Sequence, residues 1–140
     1  ESLPRGSRVL AVGGFYDLDE RRQSEYSAEL EVTVERALGK FLRLAAIPRW
    51  QFEDGLRGNP LFRQAWFLDD ALVRKAGEIL EVQWFVVGTH RYTEGRVDLS
   101  LRVIDVKTGE VLAEAAGPVP ADSWTVMKMM REYPLSYVGR

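Results

Sequence analysis

The residue best suited to acid–base chemistry near neutral pH is His90, the single histidine of the chain. A histidine that acts as a general base needs a nucleophile within hydrogen-bond reach and a carboxylate that orients its ring. Asp98 could lie across a hairpin from His90. One hypothesis is therefore a small hydrolase that uses His90. We favour the alternative, a strand histidine at the wet end of a sheet, because isolated motifs often mislead.

Two other short stretches contain residue types that bind ligands in many proteins. Asp17, Asp19 and Glu20 offer clustered oxygens for Ca²⁺ or Mg²⁺, but they lack calcium-loop spacing, so we favour a solvated loop with helix-start charges. Gly13 and Gly14 lack the further residues of a phosphate loop. We favour a bend there; the alternative is a small-ligand-sensing module with its groove at these glycines. We expect no catalytic residue, no metal and no cofactor.

Aromatic side chains are concentrated in two stretches. In the first, rings are interleaved with glycine, proline and arginine, so the segment either folds into the core or forms a contact surface. In the second, methionine and aromatic residues have helical spacing at first, and they either pack on the sheet or contact another subunit. The candidate interaction residues are Trp50, Phe52, Phe62, Trp66 and Phe67 in the first stretch and Trp124, Met127, Met130 and Tyr133 in the second.

Composition limits the class of protein. The 140 residues are 46% hydrophobic and 29% charged, as in an ordinary globular domain. A net charge of -2 gives no general attraction to nucleic acid. The absence of cysteine excludes disulfides and thiol catalysis. The sequence contains no run of 18 apolar residues, so it predicts no membrane-spanning helix. The chain begins with glutamate, so we expect it to be trimmed, and a signal peptide or lipid-anchor cysteine could precede it.

Hydrophobic periodicity predicts the elements that position these residues. Asp17 and Glu20 have the spacing of a capping box at a helix start, and Gly117, Pro118 and Pro120 should end the last strand. A turn with glycine at position 109 joins the last two strands. In chain order we expect a strand at 8–15, a helix at 23–45, an edge strand at 47–50, a helix from Asp69 or Asp70 to about 81, strands at 82–88, 96–106 and 111–116, and a helix from 122 or 123 to about 132.

These elements predict one domain over residues 1–140, with a lead-in at 1–7 and a C-terminal helix and tail at 118–140. The fold class is α+β, an α/β sandwich. A mixed, largely antiparallel sheet of four or five strands would pack with three or four helices. The continuous apolar run at 84–87 is expected to be covered on both faces.

Three motifs resemble those of one bacterial superfamily. The first strand has Ala-Val-x-x-Phe at 11–15, the apolar strand ends in Val-Gly at 87–88, and the hairpin turn has Asp-x-x-Thr-Gly-Glu at 105–110. Together with the long helix, these motifs resemble the superfamily that includes the amino-terminal domain of TolB, CsgG, LpoB and PelC. The resemblance covers residues 8–116.

The resemblance implies a periplasmic, non-enzymatic domain that is commonly anchored to the outer membrane by a lipid. Such domains serve in assembly, export or regulation of the cell envelope through protein–protein contact, and some form rings. We therefore expect a periplasmic location, self-association or an envelope protein partner, and no nucleic-acid partner. The small-ligand sensor and the His90 hydrolase are the alternatives.

Overall fold

The structure is a mixed sheet with helices on both of its faces. It is a computed structural model that describes residues 9–63, 65–120 and 123–130. The predicted lead-in at 1–7 and the tail beyond residue 130 lie outside these residues. The strands are β1 (Val9–Val12), β2 (Tyr16–Asp17), β3 (Ala45–Ala46), β4 (Trp84–Thr93), β5 (Arg96–Asp105) and β6 (Val111–Pro120), and the helices are α1 (Glu25–Ala37), α2 (Arg49–Leu56), α3 (Asp70–Leu80) and α4 (Ser123–Met130).

β4 lies at the centre of the sheet, in the strand order β3-β1-β4-β5-β6. β1 runs parallel to both β3 and β4, and β2 pairs with β4 beyond the end of β1. β4, β5 and β6 are successive antiparallel neighbours. The predicted α+β class with a mixed, largely antiparallel sheet is confirmed. The sheet has six strands rather than four or five, because β2 and β3 are short pairings of two residues each.

Each face of the sheet has its own apolar core. On one face, residues of α2 and α3 pack with Phe85 and Val87 of β4. On the other face, residues of α1 and α4 pack with Trp84 and Val86 of the same strand. Successive side chains of a strand point to opposite faces, so β4 supplies both cores. The expectation that this apolar run is covered on both faces is confirmed.

The first helix begins at a capping box that differs from the predicted one. The Ser24 hydroxyl accepts a hydrogen bond from the Ser27 N–H, and the Ser27 hydroxyl accepts one from the Ser24 N–H. The predicted capping box at Asp17 and Glu20 is wrong. The Asp17 carboxylate instead accepts from the backbone N–H groups of Asp19 and Glu20 in a turn, which short polar side chains stabilise as readily as a helix start.

The helix predicted at 23–45 exists but is shorter. After α1, residues 38–42 form a π-helical turn, and Arg43 then takes a left-handed backbone with φ of 57°. Ala45, predicted to be helical, lies in β3 and pairs with Val9 of β1. The left-handed residue reverses the chain so that β3 can reach the edge of the sheet.

The edge strand predicted at 47–50 is wrong in position. The pairing occurs two residues earlier, in β3, and Pro48 is the N-cap residue of α2. A proline cannot donate to a sheet ladder, whereas its fixed φ is compatible with the beginning of a helix. Two 3-10 turns, at Pro60–Phe62 and Trp66–Leu68, lead from α2 to α3.

The last strand is longer than predicted. Gly117, Pro118 and Pro120 do not end it, since β6 continues to Pro120 and pairs with β5 along its length. Proline is tolerated in a sheet at an edge strand, where the missing N–H faces away from the ladder. Because β6 is the edge of this sheet, its prolines are compatible with strand structure.

The helix predicted from Asp69 or Asp70 to about 81 and the predicted turn at Gly109 are confirmed. Asp69 caps α3 by accepting from the Ala71 N–H. In the turn between β5 and β6, the Asp105 carboxylate accepts from the Lys107 N–H, and Gly109 has φ of 82°, which glycine adopts without strain. The cap and the turn could be predicted because each depends only on residues close together in the chain.

We expect Gly77→Ala to destabilise the protein, because a Cβ at this position in α3 would lie 2.5 Å from Cγ2 of Val106. Val106 is buried and β-branched, so it has little rotamer freedom with which to give way. The free energy of unfolding in urea should fall by about 1–3 kcal/mol, as in other overpacked cores.

Gly39→Ala is the matched control for this prediction. Its added Cβ would come no closer than 3.9 Å to another group, and alanine is favoured over glycine in a helix by up to about 1 kcal/mol. The control should leave stability unchanged or raise it. Similar losses in both variants would contradict the close helix–sheet packing at Gly77.

Candidate functional site

His90, the candidate base, is buried between β4 and α1 with no exposed surface. Its Nε2 lies 2.7 Å from the Ser27 hydroxyl oxygen, and the Tyr26 ring contacts it edge-on at 5.2 Å between centroids. Its Nδ1 lies 3.9 Å from Oδ2 of Asp17, too far for a hydrogen bond, and has no hydrogen-bond partner among the described residues.

The expected approach of Asp98 to His90 is wrong. In the antiparallel register His90 lies opposite Leu99, whereas Asp98 lies opposite Arg91. Neighbours along a strand point to opposite faces, so Asp98 and His90 are on different sides of the sheet. The Asp98 carboxylate instead accepts from the exposed side chain of Arg96. The expectation of a wet strand end for His90 is also wrong, since the residue is buried.

Ser27, His90 and Asp17 together supply the residue types of a nucleophile, a base and an orienting carboxylate. Ser27 and His90 are both completely buried in this structure, so a substrate cannot reach the hydroxyl. Burial lowers the pKa of His90 to about 4, against a smaller opposing effect of the Asp17 carboxylate. The imidazole is therefore neutral at neutral pH and joins α1 to β4 through Ser27.

A second group of buried polar side chains lies where the chain leaves β1. The Glu31 carboxylate, which is completely buried, accepts from the Phe15 N–H at 3.1 Å. The Gln23 side-chain amide donates to the Phe15 carbonyl at 3.0 Å. Glu31 of α1 and Gln23, which precedes the N-cap of that helix, thus supply both hydrogen-bond partners of one backbone position that is fully buried and outside the sheet ladder.

Arg49 completes this group from the other face of the sheet. Its guanidinium donates to the Val12 carbonyl at 2.6 Å and to the Glu31 carboxylate at 2.5 Å, and it lies 4.9 Å from the centre of the Phe52 ring. The carboxylate of Glu31 is thereby neutralised in the interior, as a buried charge requires. Glu31 and Arg49 connect α1, β1 and α2.

The two glycines after β1 admit aromatic rings. A Cβ on Gly13 would lie 2.4 Å from the Phe52 ring, and one on Gly14 would lie 3.2 Å from the Trp66 ring. Gly14 also has φ of 73°, which favours glycine. The space beside these glycines is therefore filled by core side chains, which supports the bend and gives no support to a phosphate-binding groove.

The acidic stretch at residues 17–20 has neighbours of its own. Asp17 caps the turn described above, and Asp19 accepts from Arg91 at 3.0 Å on the surface. Among the residues that the structure describes, no group of three or more histidine, aspartate or glutamate side chains could hold a metal ion. The carboxylates of Asp17 and Asp19 have structural partners.

The candidate interaction residues differ widely in exposure. Phe52, Phe62 and Trp66 are completely buried and contact one another through their rings. Phe67 is half-buried against Tyr16, with ring centroids 5.3 Å apart. These four residues belong to the core or border it, so they offer a partner little surface in this structure.

Two candidates present large exposed side chains. Trp50, on the first turn of α2, is 66% exposed, and Met127 on α4 is 45% exposed. The side chains of Trp124 and Met130, and the whole of Tyr133, lie outside the described residues. The interaction role of the set stays a prediction, and Trp50 is its best-placed member.

The sequence analysis missed Ser27, Glu31 and Arg49 as structural polar residues. A signal was present for two of them, because Ser27 and Glu31 lie one residue after Tyr26 and Leu30 and thus border the apolar stripe of α1. Arg49 gave no such signal. Its partners lie 18 and 37 residues away in the chain, and no local pattern joins them.

A family model described as FlgO protein matches residues 70–124, less than half of the chain. The search of curated proteins found no match to this chain. Among solved structures, the LpoB C-terminal domain from Salmonella enterica is similar, with a TM-score of 0.63 and 15% identity over 84% of this chain and 86% of that one. Lipoprotein GNA1162 from Neisseria meningitidis has a TM-score of 0.64 and 13% identity over 83% of this chain and 82% of that one.

A PelC dodecamer from Paraburkholderia phytofirmans is also similar, with a TM-score of 0.54 and 14% identity over 92% of this chain and 84% of that one. The chain has the fold of these three proteins. The resemblance inferred from the motifs at 11–15, 87–88 and 105–110 is thereby confirmed at the level of the fold. The FlgO match includes the most specific of those motifs, the hairpin turn.

In the part of the chain that the structure describes, no helix has both the length and the apolar content needed to cross a membrane. This agrees with the sequence, which contains no run of 18 apolar residues. The longest α-helix, α1, has 13 residues and carries several charged side chains.

We expect His90 to make the protein less stable as the pH falls below neutral. The pKa of His90 is about 4 in the folded protein and 6.5 as an ordinary side chain. As the pH falls, His90 therefore becomes protonated in the unfolded chain before it does so in the folded protein. The stability that the neutral ring contributes is complete above pH 6.5 and is lost as the pH falls toward 4, by roughly 3 kcal/mol in all.

The measurement is the free energy of unfolding in urea between pH 7 and pH 4, for the wild type and His90→Gln. Glutamine does not titrate, so the difference between the two proteins isolates the histidine from the carboxylates. That difference should shrink by about 3 kcal/mol across the range. A difference that stays constant with pH would contradict the assignment.

We expect Arg49→Met to cost about 3–5 kcal/mol of unfolding free energy, because it removes the guanidinium from a buried carboxylate. Adding Glu31→Gln to this variant should restore part of the loss, since the neutral amide is cheaper to bury. Arg57→Met is the control, because it breaks an exposed ion pair with Asp54 and should cost less than about 1 kcal/mol. Equal losses at Arg49 and Arg57 would refute a structural role for the buried pair.

Proposed function

We propose that this chain is a non-catalytic periplasmic domain that serves assembly, export or regulation in a bacterial cell envelope. It acts by protein–protein contact, with an envelope partner or with copies of itself. The observation that carries the proposal is the fold shared with LpoB, lipoprotein GNA1162 and PelC. One of these proteins is a lipoprotein, which supports an envelope location, and another is a dodecamer, which supports self-association.

The character of the buried polar residues supports binding rather than catalysis. His90 and Ser27, whose residue types could form a base and a nucleophile, have no exposed surface. Glu31 and Arg49, which form an ion pair, hold backbone groups at the exit of β1. These side chains hold the helices and strands together. We therefore assign the function of the domain to its exposed surface.

Trp50 is the side chain through which we propose that contact is made. Tryptophan is among the residues that contribute most to protein interfaces, and a ring that is 66% exposed leaves a large apolar area in water. The ring is held on α2, whose other side is anchored in the core by Phe52 and Leu56. A partner would therefore meet a ring carried on a firmly packed helix.

We expect Trp50→Ala to weaken association at least tenfold, because burial of a tryptophan at the centre of an interface contributes about 2 kcal/mol or more. The change should shift the free energy of unfolding by no more than about 0.5 kcal/mol, since the ring is mainly exposed. Sedimentation equilibrium of the 140-residue chain measures the first effect and urea unfolding the second.

Trp66→Ala is the control, because it truncates a buried tryptophan and should cost about 3–5 kcal/mol of stability. Photo-cross-linking from position 50 in the producing bacterium tests for an envelope partner, with the exposed position 75 as its control. A chain that stays monomeric at high concentration and gives no specific cross-link from position 50 would refute the proposed function.

A further inference from the structure

The open edge of the sheet is β6. Within the described residues it pairs with β5 alone. It is ten residues long, and Glu114 is its one charged residue. Natural proteins usually protect a long edge of low charge, because its unpaired backbone groups can accept a further strand.

The direction of the backbone groups of β6 follows from the hairpin between β4 and β5. Its two turn residues, Glu94 and Gly95, have φ of 46° and 83°, as in a type I′ turn. In such a hairpin the flanking residues, Thr93 and Arg96, form a hydrogen-bonded pair. Alternation then directs the backbone of the even-numbered residues of β5 toward β4 and that of the odd-numbered residues toward β6.

The register carries this alternation across to the edge. Ala113, Ala115 and Gly117 lie opposite odd-numbered residues of β5 and bond to them, so the even-numbered residues of β6 direct their N–H and C=O groups outward. Pro118 and Pro120 occupy outward positions, where their missing N–H costs nothing. In the second half of β6, the two prolines therefore offer no N–H group to an added strand.

Glu114 and Ala116 are the outward-directed residues that precede the prolines. Each retains an N–H and a C=O for pairing, and both side chains are exposed. A strand that adds to this sheet is therefore limited to the first half of β6. The edge accepts a short antiparallel partner centred on Ala115.

We propose that the occupant is β6 of a second copy of this chain, related by a two-fold axis at Ala115. This rests on the self-association proposed above. In this register Glu114 of each copy lies opposite Ala116 of the other, and the two residues exchange both of their backbone hydrogen bonds. The prolines of each copy lie toward the ends of the paired segment.

The charge pattern of the edge suits a second copy. The two Glu114 carboxylates are not opposite each other in this register, so the like-charge repulsion of a directly facing pair is avoided. Arg102 of β5 lies across from Glu114 within each chain, although its guanidinium bonds to Asp70 of α3. The same segment therefore serves on both sides of the axis, as a two-fold interface requires.

The sheet face beside this edge is only partly covered, which gives the pairing an apolar contribution. Side chains of β5 and β6 on the face of α1 and α4 are half-buried. Ala115 is exposed on the same face at the proposed axis, where a small side chain lets the two sheets continue into one another. The half-buried apolar residues of this face are Leu99, Leu101, Val103, Leu112 and Val119.

The test compares two substitutions on the edge by sedimentation equilibrium of the 140-residue chain. Ala116→Pro removes one outward N–H from each copy and should weaken association by roughly tenfold or more, since each hydrogen bond contributes about 1 kcal/mol. Pro118→Ala supplies a new outward N–H and should strengthen association. Opposite effects of the two changes are the expected result, with Lys75→Ala, at an exposed position of α3, as the control that should leave association unchanged.

Hydrogen exchange of the wild-type protein gives a second measurement that needs no variant. The Glu114 and Ala116 amides should exchange more slowly as concentration rises, while the already bonded Ala115 amide serves as the internal control. This result decides the proposal if Ala116→Pro fails to fold.

Three results would overturn the edge pairing. The first is a wild-type chain that stays monomeric; a specific cross-link from position 50 to another envelope protein would then leave the proposed function standing. The second is a folded Ala116→Pro protein that associates as well as the wild type. The third is protection of the Glu114 and Ala116 amides by an unrelated extended peptide in a monomeric chain, which would assign the edge to a foreign strand.

Discussion

The ion pair between the buried Glu31 and the partly exposed Arg49 joins the three layers of this fold. The carboxylate comes from α1 on one face of the sheet, and the guanidinium comes from α2, which packs on the other face. Glu31 accepts from the N–H of Phe15, which lies beyond β1, and Arg49 donates to the carbonyl of Val12, the last residue of β1. The interior can contain these unpaired backbone groups because charged side chains satisfy them.

The close packing around the exit of β1 depends on that arrangement. Gly13 and Gly14 leave room for the Phe52 and Trp66 rings, which in turn bring α2 and the 3-10 turns against the sheet. The Arg49 guanidinium lies over the Phe52 ring, so the same side chain that neutralises the carboxylate also positions an aromatic residue of the core. The Arg49 side chain thus links the hydrogen bonding of buried polar groups to the packing of the aromatic core at the exit of β1.

The parts of the structure that could be predicted from sequence are those set by near neighbours in the chain. The Asp69 cap and the turn at Gly109 need only residues two to four positions away. The position of Glu31 beside the apolar stripe of α1 was a signal of burial, but its partners could not be predicted, since they are distant in sequence and an acidic residue of a helix normally faces water. The continuation of β6 through Pro118 depends on its being an edge strand, a property of the whole sheet. Some interaction candidates are buried and others are exposed, which the sequence could not predict because tertiary packing decides exposure.

Trp50 and Arg49 are adjacent in the chain, so the exposed ring is attached directly to the anchor of the interior. The guanidinium fixes the first turn of α2 to the Val12 carbonyl and to Glu31, and this leaves the indole few backbone motions of its own. A backbone held in this way loses little conformational entropy when the residue it carries docks. Preorganisation of the helix beneath a single apolar ring would allow a small surface to bind a partner without a flexible loop.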